Sequence, residues 1–435
     1  MRKTGSRQRR HPQGRGPGGQ HAVSLAWLSV GALVLAVGLS CTTAVNVGIL
    51  SLAMAWVLGV YLGGMSVDTV LSGFPVQLLV TLVGVTLLFS MAEVNGTLAR
   101  LTGRAVRLCR GHAGALPILF FALGLFVATI GPGGTPASAL LAPPAMAVAA
   151  RVGIPPLLMA IMTGNGALAG TLSPFAPGGI VANGVMDRIG LGGLEWQTYG
   201  YNVLAHTIVG FGGFVVLGGL RLFRRRDGMA APIEPDSETI EAKHWLTVAG
   251  IATLIAMVVG LGAHVGLTAL GIAAVLTLLR VVDEQKSIQR MPWGVILMVT
   301  GVTVLIGMME RTQGMDLFTG GVARVSTSES VVPIMAFGTG LISVYSSTSG
   351  VVMPAFLPMV PELADRLGGV AHASLAWSIT VGGGLVDLSA LSTVGALFLA
   401  AAAPGTDTRR LFNALLAWGL SMSVVGALLC WILFA

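Results

Sequence analysis

The sequence predicts an all-α polytopic membrane protein of two inverted-topology repeats, each with a re-entrant helical hairpin and a broken transmembrane helix. Three observations lead there. Only 10% of the 435 residues are charged and 54% are hydrophobic, with a mean hydropathy of +0.84. A water-soluble chain of this length needs far more surface charge. The apolar residues fall in runs at 25–40, 44–62, 78–92, 204–220 and 411–434, each close to the ~20 residues that cross a hydrocarbon core of ~30 Å. Finally, two stretches of the chain match one another at a fixed distance.

The elements follow in order. Residues 1–22 hold Arg2, Lys3, Arg7, Arg9, Arg10 and Arg15 among Gly, Gln and Pro, which predicts a disordered basic tail. The tail also looks like the start of a signal peptide, but no clear small-residue cleavage site follows and the next apolar run is long for such a leader. Two transmembrane helices are expected in 23–65. The first repeat spans 66–222 and a cytoplasmic linker 223–244. Two linking helices occupy 245–284, and the second repeat core spans 285–435. The match that defines the repeats pairs Gly84-Val85-Thr86 with Gly301-Val302-Thr303, Leu88 with Leu305, Met91 with Met308 and Glu93 with Glu310, all 217 residues apart.

Each match leads into a broken apolar segment. At 116–151 the sequence Gly131-Pro132-Gly133-Gly134-Thr135-Pro136 interrupts an apolar run, and at 331–363 Ser346-Ser347-Thr348-Ser349-Gly350 does so. Glycine and proline oppose helix interiors, and arms of ~15 residues reach only ~22 Å. A hairpin turning at mid-membrane fits both. Each hairpin is followed by a span broken by glycine, at 155–183 with Gly164-Asn165-Gly166 and at 373–400 with Gly382-Gly383-Gly384. Each break is followed by a Leu-Ser pair, Leu172-Ser173 and Leu391-Ser392.

Charge sets the expected orientation. If the hairpins return to their own side and the broken spans cross, the loops at 97–113, 151–154, 221–244, 280–290 and 405–410 share a side and collect most of the Arg and Lys. The other side holds only Arg188, Arg311, Arg324 and Arg366. The basic side is cytoplasmic by the positive-inside rule, which gives ten crossings plus two hairpins. The same parity puts the basic tail outside, against that rule. The net charge of +7 therefore reflects loops, not nucleic-acid binding. Cys41, Cys109 and Cys430 are too scattered for a metal site or disulfide framework.

Unwound backbone inside a membrane is tolerated where it is buried or lines a cavity. Four such stretches would converge at mid-membrane. Half-helix N-termini offer N–H donors to an anion, and freed carbonyls and hydroxyls can hold Na+. The candidate anion ligands are Thr135, Asn165, Ser173, Ser347, Thr348, Ser392 and Thr393. The candidate cation ligands are Gly133, Gly134, Thr135, Gly164, Asn165, Ser347, Thr348, Ser349 and Asp387. Asp387 is an ionisable group deep in an apolar break, which is functional by default. It could ligate Na+, carry a coupling proton, or accept backbone hydrogen bonds. Glu93 and Glu310 read as helix-end residues, and His206 and His264 as structural. No other cofactor is expected.

Residues 66–191 resemble the malonate/dicarboxylate carrier (MatC) type, among the divalent-anion:sodium symporters of the ion transporter superfamily. The resemblance rests on LSGFP ahead of a span ending in Glu-Val-Asn-Gly, on the GPGGTP hairpin with LAPPAMAVAARVGIPPLLMAIM, and on GNGALAGTLSPFAPGGIVANG. The second half is similar in pattern only, through SSTSG and GGGLVDLSALST. The resemblance implies an elevator transporter, usually a homodimer, with substrate between the hairpin tips and broken spans and Na+ beside it. The family's Ser-Asn-Thr tips fall on Gly133-Gly134-Thr135 and Ser347-Thr348-Ser349. The expected function is transport of a small dicarboxylate such as malonate or succinate across the cytoplasmic membrane, coupled to Na+ or H+. The alternatives are a cation/proton antiporter and, with no HExxH or GxSxG-type motif to support it, an intramembrane enzyme.

Overall fold

The apolar runs are realised in helices. The computed structural model describes residues 17–42, 45–100, 113–223, 241–344, 347–403 and 405–435, and these form no strand. Residues 1–16 of the expected tail, the loop at 101–112 and most of the expected linker lie outside the described residues. The first half contains α1 (Pro17–Thr42), α2 (Val47–Trp56), α3 (Val76–Val94), α4 (Ala115–Thr129), α5 (Gly134–Val152), α6 (Pro156–Ala169), α7 (Pro177–Arg188) and α8 (Glu195–Val216). The second contains α9 (Ala242–Leu261), α10 (Val265–Leu278), α11 (Trp293–Arg311), α12 (Gly314–Val325), α13 (Val331–Ser343), α14 (Val360–Leu367), α15 (His372–Leu385), α16 (Thr393–Ala400) and α17 (Thr408–Phe434). Helix α1 starts inside the expected tail. Among the described residues α3, α11 and α17 are each long and apolar enough to cross a bilayer, and α4 and α6 are among the shorter apolar helices.

Helix order and length recur. Helices α6 and α15 each have 14 residues and start 216 apart, at Pro156 and His372. Helices α3 and α11 each have 19 residues and start 217 apart. The correspondence reaches back to α2 and α10, which start 218 apart and open on side-chain caps. Asn46 accepts from the Gly48 and Ile49 N–H groups, and His264 from the Leu267 N–H.

Packing recurs with the elements. Helix α3 lies on α10, and α11 lies on α2. A methyl group on Gly84 would land on the Gly266 backbone, and one on Gly301 would land on the Gly48 backbone. The same glycine crossing thus occurs twice, each time joining the two halves. Lipid tails are as apolar as leucine, so helices in a membrane are held by such close backbone contact rather than by hydrophobic burial. Elsewhere α4 packs on α6 and α13 on α15, and α8 lies against both α6 and α15. Helix α8 therefore brings the two broken spans together.

The first hairpin turns between Thr129 and Gly134. Gly131 and Gly133 have φ of 148° and 82°, backbone that glycine adopts readily, and a side chain at Gly131 would occupy the Phe89 ring. In the second hairpin the arm returning from Thr348 turns 119° from α13. It opens as a wide π-type turn over Thr348–Val352, a form enriched at functional sites.

The breaks lie later than the glycines suggest. Gly164-Asn165-Gly166 and Gly382-Gly383-Gly384 sit within α6 and α15, and the chain leaves helix at 170–176 and 386–392. A Cβ on Gly166 would meet the Phe121 backbone of α4, and one on Gly382 the Ala336 backbone of α13. These glycines let each broken span touch its hairpin arm.

Candidate functional site

The second break is a series of tight turns. The Asp387 N–H donates to the Gly384 carbonyl at 3.1 Å, the Ser389 N–H to Val386 at 2.9 Å and the Ser392 N–H to Ser389 at 3.0 Å. Ser392 caps α16: its Oγ accepts from the Gly395 N–H at 3.2 Å and donates back to the Asp387 and Ser389 carbonyls. The Asp387 side chain meets the tip of the second hairpin. Its Oδ1 accepts from Thr348 Oγ1 at 2.8 Å and from Ser343 Oγ at 3.1 Å. The two hydroxyls also touch each other, and Thr348 Oγ1 lies 3.1 Å from the Gly383 carbonyl. Among the described residues Oδ2 has no hydrogen-bond partner. A carboxylate in an apolar span costs several kcal/mol unless paired or wet, and two hydroxyls offset part of that.

The first break repeats the turns with other side chains. The Thr171 N–H donates to Leu168, Ser173 to Gly170 and Ala176 to Ser173, at 3.1, 3.1 and 2.9 Å. These are the second break's bonds 216 residues earlier. The counterpart of Leu172-Ser173 is therefore Leu388-Ser389, not Leu391-Ser392 as the dipeptide alone suggests. Thr171 stands where the second half has Asp387. Ser173 Oγ donates to the Thr129 carbonyl at 2.7 Å and pins the break to the end of α4.

Between the breaks lies a cavity lined by Thr171, Asn202 and His206 from the first half and by Thr348, Gly384 and Asp387 from the second. Ser349 also lines it. Thr135 and Thr393 are exposed in the first turns of α5 and α16. Ser347 caps the wide turn, accepting from the Gly350 N–H at 3.0 Å. Asn165 stands one step behind the wall: its Nδ2 donates to the Ile161 carbonyl at 2.9 Å, and its Oδ1 lies 3.0 Å from His206 Nδ1. Gly133 provides the turn before α5, Gly134 faces Thr171 Oγ1, and Gly164 packs under Leu388 and Phe398. His264 caps α10 and Glu93 pairs with Arg290 at 3.2 Å. His206 is at the cavity wall rather than merely structural. Asn202, Ser343 and Thr171 join the site without having been singled out. Asn202 and His206 are four apart, so one face of α8 carries both; that spacing within an apolar span was the available signal. Nothing local marks Ser343.

The first hairpin, the span before it and the helix leading to the first break all fall within residues 23–171. That stretch matches the family of the dicarboxylate carrier protein MatC N-terminus. The MatC match thus includes α1 to α6 and ends at Thr171, the residue in the place of Asp387. Across nearly the whole chain the fold is similar to that of the Alcanivorax borkumensis YdaH transporter, known from its crystal structure. The TM-score is 0.58 at 15% identity, over 95% of this chain and 97% of the other; at that identity the likeness is one of fold. No curated protein matches the chain in sequence. The MatC match and the transporter fold together support a multi-pass membrane transporter.

Proposed function

We propose that the protein is a secondary active transporter of the elevator type that moves a small dicarboxylate such as malonate or succinate across the cytoplasmic membrane, coupled to Na+ or H+. The observation that carries this is the cavity between two unwound spans, with a hairpin-tip threonine bonded to an intramembrane carboxylate. Asp387, Thr348 and Ser349 would serve the cation. The first-turn N–H groups and hydroxyls at Thr135 and Thr393 would serve the anion, since no Lys or Arg lines the cavity and helix N-termini attract negative charge. The glycine crossings of α3 with α10 and α11 with α2 would form the fixed frame, and the hairpins with their broken spans would move in a homodimer.

Uptake of labelled malonate and succinate into proteoliposomes, with and without a sodium gradient, tests this directly; no uptake of either would refute it. The inverted arrangement predicts that cysteines placed in 221–244 are labelled only from the cytoplasm and cysteines in 312–328 only from outside. Labelling from one side would reject inverted repeats. The cation/proton antiporter stands as a second reading, favoured by the same lack of basic residues around Asp387. Added dicarboxylate raises the melting temperature of the purified protein under the first reading and leaves it unchanged under the second.

A further inference from the structure

The cavity between the breaks presents an occupant with three acceptors, each fixed by a bond on its other side. Asp387 Oδ1 is occupied by Thr348 and Ser343, which leaves Oδ2. Asn202 donates through Nδ2 to the Leu168 and Ala169 carbonyls, both at 2.9 Å, which leaves Oδ1. Asn165 donates to the Ile161 carbonyl, so the oxygen of its amide faces His206 Nδ1. An amide oxygen cannot donate, so Nδ1 carries the proton and the neutral ring offers Nε2 as a bare acceptor. Asn202 and His206 are each 1% exposed.

These atoms converge. A Cβ on Gly384 would lie 3.6 Å from His206 Nε2 and 3.7 Å from Asn202 Oδ1, and Gly384 is one helical turn before Asp387. The free space is about 10 Å3, room for roughly one water-sized sphere. A dicarboxylate does not fit there; a single ion does. Buried acceptors facing one another without a donor or cation are costly.

We infer that Asn202 and His206 of the first half complete, with Asp387 of the second, a site for one Na+ ion between the two broken spans. The inference rests on the reading of Asp387 as a cation ligand and extends it to α8. Carboxylate and carboxamide oxygens suit a hard cation, and the imidazole closes the third side. Because the ligands come from both halves, the bound ion holds the two breaks in register, and its release frees them to shift.

The test is the melting temperature of the purified full-length protein against NaCl, with KCl making up constant ionic strength at fixed pH and no dicarboxylate present. A ligand that binds only the folded state raises it in a saturable way. Wild type should show that rise. Gly384→Ala, whose methyl fills the ion's space at ordinary contact distances, should need at least tenfold more sodium for the same rise. His206→Phe, which keeps the ring but loses Nε2, should do so too. If wild type responds, Asp387→Asn does not, and both of these variants titrate like wild type, then Asn202 and His206 are not ligands while the Asp387 reading survives. If wild type itself ignores sodium, the cavity holds a water or a proton, and both this site and sodium coupling through Asp387 are wrong.

Discussion

The two breaks share one backbone and differ in what they do with it. Both turn through the same three hydrogen bonds, 216 residues apart. In the first, Ser173 is spent on the Thr129 carbonyl, Gly134 leaves no side chain at the tip, and α7 starts on Ala176 and Pro177 without a side-chain cap. In the second, Thr348 fills the tip, Asp387 replaces Thr171, and Ser392 caps α16. One break is tied to its own scaffold by neutral bonds; the other carries a charge with a free oxygen. A duplicated frame thus supplies the geometry twice, and the chemistry has been concentrated in one copy. The first copy contributes instead from α8, through Asn202 and His206.

Removing the charge should break this asymmetry most severely. Asp387→Asn keeps an oxygen but loses the negative charge, and should weaken sodium affinity by roughly a hundredfold, the value of losing about 2–3 kcal/mol of interaction with a charged group. Substrate binding should return at high sodium. Loss of pH-dependent transport with surviving substrate exchange would instead make Asp387 a proton carrier. Normal ion dependence in a well-folded variant would remove it from coupling altogether.

The hairpin tips sharpen the comparison at smaller magnitude. Thr348→Val and Thr135→Val should each weaken apparent transport affinity by about tenfold, as for a lost hydrogen bond of roughly 1–1.5 kcal/mol. Thr348→Val should also lower the melting temperature, because Asp387 loses one of its two donors. Thr135→Val, at an exposed position, should leave it unchanged. Kinetics unaltered in both variants would return these threonines to packing.

The smallest effect belongs to the first break. Ser173→Ala removes its tie to Thr129 and should cost about 1 kcal/mol of stability, read by thermal melting, with sodium and substrate dependence intact. A clear change in ion dependence would show that the first break is not merely a scaffold.

The sequence was sufficient for whatever is decided locally. Apolar runs ask for helices in a bilayer, Gly131 and Gly133 mark a turn that only unusual backbone can make, and an aspartate in an apolar stretch stands out against its neighbours. The repeat was legible as an offset near 217, because paired elements keep their order and length. The glycines were readable as special but not in their role: Gly164, Gly166 and Gly382 suggested breaks, yet serve close packing, since a glycine in a sequence does not say which backbone lies against it. Likewise Asp387 was visible alone, but its companions were not. Ser343 is 44 residues away and His206 is 181, and their meeting depends on how α13 and α8 cross α15. Those crossings are set by the fit of many side chains and backbones at once, so which polar atoms face one cavity is fixed only when the tertiary structure closes around it.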